Sequence, residues 1–119
     1  MSDKPTDLRR GCFVLQVKKD LVQEFLHAHQ NVWPEYLEAL ISAGFDSYSS
    51  FISPDGLFVG YFESRDPTAT LARLGATEID QKWQLEMARF WEPQAGSDQA
   101  SVKSLLQEAF NLENALQDP

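Results

Sequence analysis

The sequence has little cysteine, little histidine and no long apolar run. A single cysteine among 119 residues excludes a disulfide framework. The two histidines, His27 and His29, lie two residues apart, a spacing that on a helix points them in different directions and gives no support for a metal site. No apolar run approaches the roughly 20 residues of a membrane span, and residues 1–9 lack the apolar centre of a signal peptide. We therefore expect a cytoplasmic protein with no metal and no membrane partner.

Positive charge is also scarce. Ten Lys and Arg residues stand against eighteen Asp and Glu, a formal net charge of −8, and the basic residues are scattered along the chain. A nucleic-acid surface needs clustered basic residues, so neutral small molecules are the better ligand candidates. The length and the 43% hydrophobic content suit a single core. We predict a domain over residues 11–112, between a flexible N-terminal segment at residues 1–10 and a C-terminal tail at residues 113–119.

The stretch with the clearest functional signal runs from residue 20 to residue 44. Apolar positions recur there at helical spacing: Leu21, Val22, Phe25 and Leu26. The next position on that stripe is His29. Asp20 is the expected cap of this helix, and a break is predicted at Trp33-Pro34 because proline disfavours a helical residue before it. A second helix should follow the break and end at Gly44.

Two interpretations of His29 are open on this evidence. The residue can be a satisfied histidine at a helix end, stabilised as a cation by the negative end of the helix dipole. Alternatively, it is an acid/base group at the floor of a pocket lined by Phe25, Trp33 and other aromatic residues. His27, by contrast, is expected to be a solvated surface residue.

Three segments have the pattern of β-strands. Residues 11–17 form a β-branched and aromatic run, in which Cys12 is expected to be a buried, inert thiol. Residues 45–53 alternate with hydroxyl groups on both faces, which suggests a ligand wall. Ser53-Pro54-Asp55-Gly56 predicts a tight turn, after which residues 57–63 return as a hairpin partner. Within that partner, Gly60 indicates a bulge or the close approach of another group.

Two more helices are predicted after the hairpin, one over residues 67–74 and one from Thr77 to about residue 90. Thr77 and Asp80 resemble a capping box. A stripe repeats every fourth residue in the second helix and is more typical of a core than of a ligand site: Ile79, Trp83, Met87 and Trp91. Residues 102–112 fit either an amphipathic helix or a strand.

A final strand would complete a recognisable order of elements. The order strand, helix, strand, strand, helix, strand is ferredoxin-like, an α+β fold with helices on one face of an antiparallel sheet. The other sheet face then lacks cover, and a face-to-face homodimer supplies it. The expected assembly is a dimeric α/β barrel.

Several residues together resemble the L-rhamnose mutarotase family. They are Phe13-Val14-Leu15-Gln16-Val17, His29, Trp33-Pro34-Glu35, Gly44, Tyr48 and Trp83. The resemblance spans roughly residues 11–112. The ending Leu106-Gln107-Glu108-Ala109-Phe110 looks like the family's final strand, which favours a strand for the ambiguous segment. The resemblance implies a dimeric ferredoxin-like isomerase that interconverts the α and β anomers of a free 6-deoxy sugar without a cofactor.

The resemblance also implies roles for single residues. His29 occupies the position of the catalytic proton donor, and Tyr48 and Trp83 occupy sugar-contacting positions. This chain departs from the family at Phe25, where a tyrosine is usual, and at Gln84, where a second tryptophan is usual. We expect both departures to face the sugar pocket.

Competing functions share the predicted architecture. L-Rhamnose is the leading substrate, with L-fucose or another 6-deoxy sugar close behind. Dimeric α+β barrel monooxygenases and haem-degrading proteins have the same order of strands and helices, so the fold alone does not exclude them. A non-catalytic sugar-binding domain is a third alternative. We expect His29 as the catalytic residue and a substrate contact from each of Phe25, Trp33, Tyr48, Trp83 and Gln84.

Overall fold

A computed structural model describes residues 7–93 and 104–117 of the chain. The strands are β1 (Arg9–Gln16), β2 (Ser47–Ile52) and β3 (Leu57–Ser64). The helices are α1 (Val22–His29), α2 (Pro34–Ala43), α3 (Pro67–Gly75), α4 (Glu78–Met87) and α5 (Leu112–Gln117). Short 3₁₀ turns precede α1 at Lys19–Leu21 and follow α4 at Ala88–Phe90. No helix in the described ranges is long and apolar enough to cross a membrane.

The strands form one antiparallel sheet in the order β1-β3-β2. Every second residue of β1 and β3 is buried, so one face of the sheet carries the core. In the register, Phe13 of β1 pairs with Gly60 of β3, which pairs in turn with Ser50 of β2. A Cβ atom on Gly60 would lie 2.3 Å from the ring of Phe13. Of the two explanations for this glycine, close approach is confirmed, because the pairing continues through Gly60 on both sides.

The helices cover the buried face of the sheet, as the α+β prediction requires. The largest fully buried side chains are Phe13, Phe25, Phe62, Phe90 and Met87. The opposite face carries Val14, Val59 and Phe51 in one row across the three strands. Val14 is 37% exposed and Phe51 64% exposed. Cys12 lies on this second face and is half-buried, so the prediction of a buried thiol was wrong.

Local sequence chemistry places most helix ends. Trp33 is extended, with ψ of 136°, and Pro34 is the first residue of α2, as the proline predicts. Gly44 ends α2 in the left-handed region, with φ of 111°. Asp20, however, does not cap α1. It lies inside the preceding 3₁₀ turn, and the residue at the cap position is Leu21, whose side chain makes no capping hydrogen bond.

The predicted final strand is the main difference between expectation and structure. Residues 104–111 have no regular secondary structure, and α5 follows them. The part of the β1 edge beyond residue 15 is already occupied, because Lys18 N–H donates to Phe90 O at 2.7 Å and Glu92 N–H donates to Gln16 O at 2.8 Å. Residues 104–111 contact β1 nearer to its N-terminal end, where Leu106 N–H donates to Cys12 O at 2.7 Å.

Candidate active site

A cavity of about 200 Å³ lies between the buried sheet face and the helices. Its apolar wall consists of Leu15, Val32, Leu37, Leu40, Phe58, Trp83 and Trp91. Its polar wall consists of His29, Tyr36, Tyr48, Ser50 and Gln84. The volume is below the roughly 300–1,000 Å³ of sites for drug-sized ligands, so the cavity suits a smaller molecule.

His29 is the last residue of α1, and its ring is held by its own helix. Nδ1 lies 3.0 Å from the carbonyl oxygen of Phe25, one turn earlier. A carbonyl oxygen only accepts hydrogen bonds, so Nδ1 carries the proton and Nε2 of the neutral ring has a free lone pair. The centres of the Phe25 ring and the imidazole are 4.1 Å apart. The centre of the Trp83 ring is 5.7 Å from that of the imidazole, and the two rings meet edge on.

Burial decides the charge of His29. Desolvation lowers the pKa of His29 below its ordinary value of 6.5, and the hydrogen bond to Phe25 only partly opposes that effect. The neutral ring is therefore the resting form at neutral pH. The lowered pKa disagrees with the interpretation of His29 as a cation stabilised by the helix end, and it agrees with the interpretation as an acid/base group in a cavity.

A buried carboxylate supports the polar wall. Asp80 is 6% exposed, and its Oδ1 accepts hydrogen bonds from the Tyr36 hydroxyl at 2.9 Å and from Gln84 Nε2 at 3.2 Å. The bond to Tyr36 joins α2 to α4, and the Tyr36 ring stacks on Trp83 at 5.1 Å. Asp80 lies in the first turn of α4, where its backbone N–H donates to the Thr77 side chain at 3.1 Å. The helix start therefore fixes the backbone that carries the carboxylate.

Both tyrosines of the wall stay protonated at neutral pH. Burial, together with the charge of Asp80, raises the pKa of Tyr36. Tyr48 is 36% exposed as a residue, but burial around its hydroxyl, with Asp80 as the second cause, raises the pKa of Tyr48 as well. Each hydroxyl therefore remains a hydrogen-bond donor. Within the described ranges, no three His, Cys, Asp or Glu side chains are grouped so that they could hold a metal ion.

The structure brings together four of the six residues that the sequence singles out. His29, Tyr48, Trp83 and Gln84 all border the cavity. Phe25 is 1% exposed and lies behind the imidazole, outside the cavity wall. Trp33 packs edge on against Trp83, at 5.1 Å between ring centres, and borders a separate, neighbouring depression of the surface.

Sequence reasoning missed three polar residues of the site, Tyr36, Asp80 and Ser50, and one residue of its apolar wall, Trp91. Tyr36 fits the apolar stripe of its helix, and Asp80 fits the acidic start of α4. Each pattern explains its residue without a functional site. Trp91 was assigned to the core stripe, although it also borders the cavity. Ser50 did have a signal, because its hydroxyl lies on the same face of the alternating strand as Tyr48.

Fold and cavity together define a class, a small α+β protein with one ionisable histidine in a small aromatic and polar cavity. The family model for L-rhamnose mutarotase matches residues 10–112 of this chain. The chain belongs to the L-rhamnose mutarotase family.

Individual relatives agree over nearly the full length. The L-rhamnose mutarotase of Bacillus subtilis is 30% identical over 107 residues, which cover 89% of this chain and 100% of the relative. That of Lactiplantibacillus plantarum is 32% identical over 103 residues, which cover 84% and 94%. The crystal structure of an L-rhamnose mutarotase from Formosa agariphila superposes with a TM-score of 0.71 at 25% identity and covers 87% of this chain and 98% of that one. The fold is thus the ferredoxin-like α+β fold of this family.

Proposed function

We propose that this protein is an L-rhamnose mutarotase, an isomerase that interconverts the α and β anomers of the free sugar by acid/base catalysis without a cofactor. The observation that carries the proposal is the state of His29 in the cavity. Its Nδ1 is committed to Phe25 O, and its lowered pKa leaves Nε2 unprotonated at neutral pH. A neutral imidazole in a small polar cavity is a suitable proton shuttle.

Each ring opening or closure in mutarotation requires only two proton transfers, one at the anomeric hydroxyl and one at the ring oxygen. Nε2 of His29 takes the proton from the anomeric hydroxyl, and the imidazolium that forms gives a proton to the ring oxygen as the bond from C1 to that oxygen breaks. One nitrogen can serve both oxygens because both are bonded to C1. The open-chain aldehyde turns about its C1–C2 bond, and the reverse steps close the ring on the other face. A positioned acid/base group contributes about 10²–10⁴-fold, and the uncatalysed reaction already proceeds in water.

The remaining walls suit a 6-deoxy sugar. Trp83, Leu15 and Phe58 offer apolar surface to the ring face and to the methyl group. The hydroxyls of Tyr48 and Ser50 stand on the sheet side of the same cavity. Tyr48, protonated at neutral pH, can donate a hydrogen bond to a sugar oxygen and hold the ring against His29.

The decisive test compares two histidines of one helix. We expect His29→Ala to lower the enzyme-dependent exchange of L-rhamnose anomers by at least about tenfold, the low end of general acid/base catalysis. His27→Ala is the matched control, because His27 is exposed on the same helix. Saturation-transfer NMR gives the exchange rate, and circular dichroism checks the fold of each variant. Full exchange by a folded His29→Ala protein would remove this residue from the mechanism.

A panel of free sugars then separates the alternatives. We expect the fastest exchange with L-rhamnose, and slower exchange with L-fucose and with sugars that carry a hydroxyl at C6. A protein that binds L-rhamnose without changing its exchange rate would be a sugar-binding domain instead. A visible haem or flavin spectrum in the purified protein would favour the monooxygenase-like class.

We also propose that the protein is a homodimer. The support is the row Val14, Val59 and Phe51 on the sheet face that no helix of the described chain covers. A twofold axis would cover this row on both copies at once, because the same patch meets itself. Four apolar residues of the last segment add to the uncovered surface: Leu106, Phe110, Leu112 and Leu116.

A further inference from the structure

Two buried polar atoms of residues in the cavity wall have no hydrogen-bond partner among the residues that the structure describes. One is Gln84 Oε1, which can only accept, and the other is Trp91 Nε1, whose hydrogen can only be donated. The large majority of buried side-chain polar atoms in folded proteins are paired, so each of these two needs an explanation. Gln84 and Trp91 both border the cavity, and an unpaired acceptor and an unpaired donor on its wall complement a ligand with several hydroxyl groups, because each hydroxyl both donates and accepts.

Asp80 determines the orientation of the Gln84 side-chain amide. The Gln84 amide donates from Nε2 to Asp80 Oδ1 at 3.2 Å. A carboxylate only accepts, so the NH₂ group must face Asp80, and a flipped amide would set oxygen against oxygen. The Tyr36 hydroxyl holds the same Oδ1 at 2.9 Å from α2. One Nε2 hydrogen is donated to Asp80, and the amide is oriented by this bond so that Oε1 is its acceptor without a partner among the described residues.

We propose that Gln84 Oε1 and Trp91 Nε1–H are a paired acceptor and donor that read the hydroxyl pattern of the sugar, and that Asp80 is the positioning residue that presents Oε1. The inference rests on the proposed sugar site and adds to it a specificity-determining pair and its support. Gln84 accepts from one sugar hydroxyl, and Trp91 donates to another sugar oxygen. A site with fixed polar partners discriminates strongly against a sugar that lacks or inverts the matching hydroxyl, because the partner is then left unpaired.

The first experiment uses the wild-type protein and L-rhamnose as the probe. NMR follows the indole N–H signals of the three tryptophans and the side-chain NH₂ signal of Gln84 during a sugar titration. We expect saturating sugar to move the Trp91 indole signal and to slow its hydrogen exchange. The Gln84 NH₂ signal should be protected from exchange already in the free protein, because Asp80 holds it.

The second experiment uses variants. Gln84→Met keeps the length of the side chain without its amide, and Trp91→Phe removes the indole N–H. Each should raise the sugar concentration for half-maximal exchange by about two- to tenfold, the usual effect of one lost hydrogen bond, with a smaller change in the maximal rate. Asp80→Ala removes the acceptor, so it should raise this concentration as well and should remove the protection of the Gln84 NH₂ group. Asp66→Ala is the control, since Asp66 caps α3, where its Oδ1 accepts a hydrogen bond from Ala69 N–H at 3.1 Å, and it does not border the cavity, so its loss should lower the melting temperature only.

The outcomes separate this inference from the proposed function. Exchange activity with an unmoved Trp91 signal, or with unchanged half-maximal concentrations in Gln84→Met and Trp91→Phe, overturns the inference and leaves the function standing. An inactive wild-type protein whose Trp91 signal moves on sugar binding overturns the function and supports the pair. If Trp91→Phe fails to fold, the titration of the wild-type protein still decides about Trp91. An effect of Asp80→Ala no larger than that of Asp66→Ala would remove the positioning role.

Discussion

At the scale of the residue, His29 is subject to two opposing influences, and burial is the stronger. Its place at the end of α1 favours the cation, because the helix dipole is negative there. Its position between the rings of Phe25 and Trp83 removes water and favours the neutral form, and the pKa of His29 is lowered as a result. The charge state therefore follows from tertiary packing and not from the helix alone.

The lowered pKa of His29 predicts how the exchange rate depends on pH. Since the neutral ring is the working base and its pKa lies below 6.5, the enzyme-dependent rate should be level at neutral pH and should fall only on acidification below that value. The measurement is the exchange rate of L-rhamnose anomers against pH, after subtraction of the enzyme-free rate. His27→Ala should keep the same profile. A rate that rises on acidification would mean that the imidazolium is the resting form in the reaction.

Single residues were predictable where the signal was local. His29 was found because it continues an apolar stripe of its own helix. Asp80 and Tyr36 were not found as a pair, because they are 44 positions apart and only the packing of α2 on α4 brings them together. Phe25 was expected in the pocket since it lies one turn before His29. The structure places its ring behind the imidazole, because the same stripe also supplies the core.

At the scale of the element, proline and glycine set the boundaries that position the site. Pro34 separates α1 from α2, so that His29 ends one helix and Tyr36 lies in the first turn of the next. Gly44 then turns the chain into β2, which carries Tyr48 and Ser50. These breaks were predictable because they depend on the backbone of one or two residues. The final strand was predicted wrongly because it could form only if no other segment paired with the edge of β1. Which segment pairs with that edge depends on contacts between residues far apart in the sequence.

Gly44 and Gly75 give a matched test of this reasoning. We expect Gly44→Ala to lower the free energy of unfolding by about 1–2 kcal/mol, the usual cost of a left-handed residue with a Cβ atom. The new Cβ would also lie 3.0 Å from side-chain atoms of Thr70 and Arg73. Gly75 is the last residue of α3, has no positive φ and has open space around it, so Gly75→Ala should be neutral or stabilising by up to about 1 kcal/mol. Urea unfolding measures both, and equal effects of the two changes would contradict the argument.

At the scale of the whole molecule, the two faces of the sheet have different roles. The face toward the helices carries the core and the cavity, and its polar residues include Tyr48 and Ser50 at the cavity and the fully buried Ser64, whose Oγ has no partner among the described residues. The opposite face carries the row Val14, Val59 and Phe51, with Leu57 beside it at 45% exposure. An apolar row of this kind on an uncovered sheet is typical of an interface. The order of elements made an uncovered sheet face predictable, whereas the identity of the covering surface is not encoded in any one strand.

The homodimer is therefore tested best on the uncovered face itself. We expect the wild-type protein to have twice the mass of one chain at micromolar concentration, by light scattering. Phe51→Glu should shift this equilibrium toward the monomer, because two buried carboxylates would face the same twofold interface without partners. The change should cost the single chain little, since Phe51 is 64% exposed there. Ile41→Glu is the control, because Ile41 is 73% exposed on α2, on the helical side, and its substitution should leave the dimer intact. A monomeric wild-type protein, or a Phe51→Glu dimer that dissociates at the same concentration as the wild type, would show that this face is not the interface.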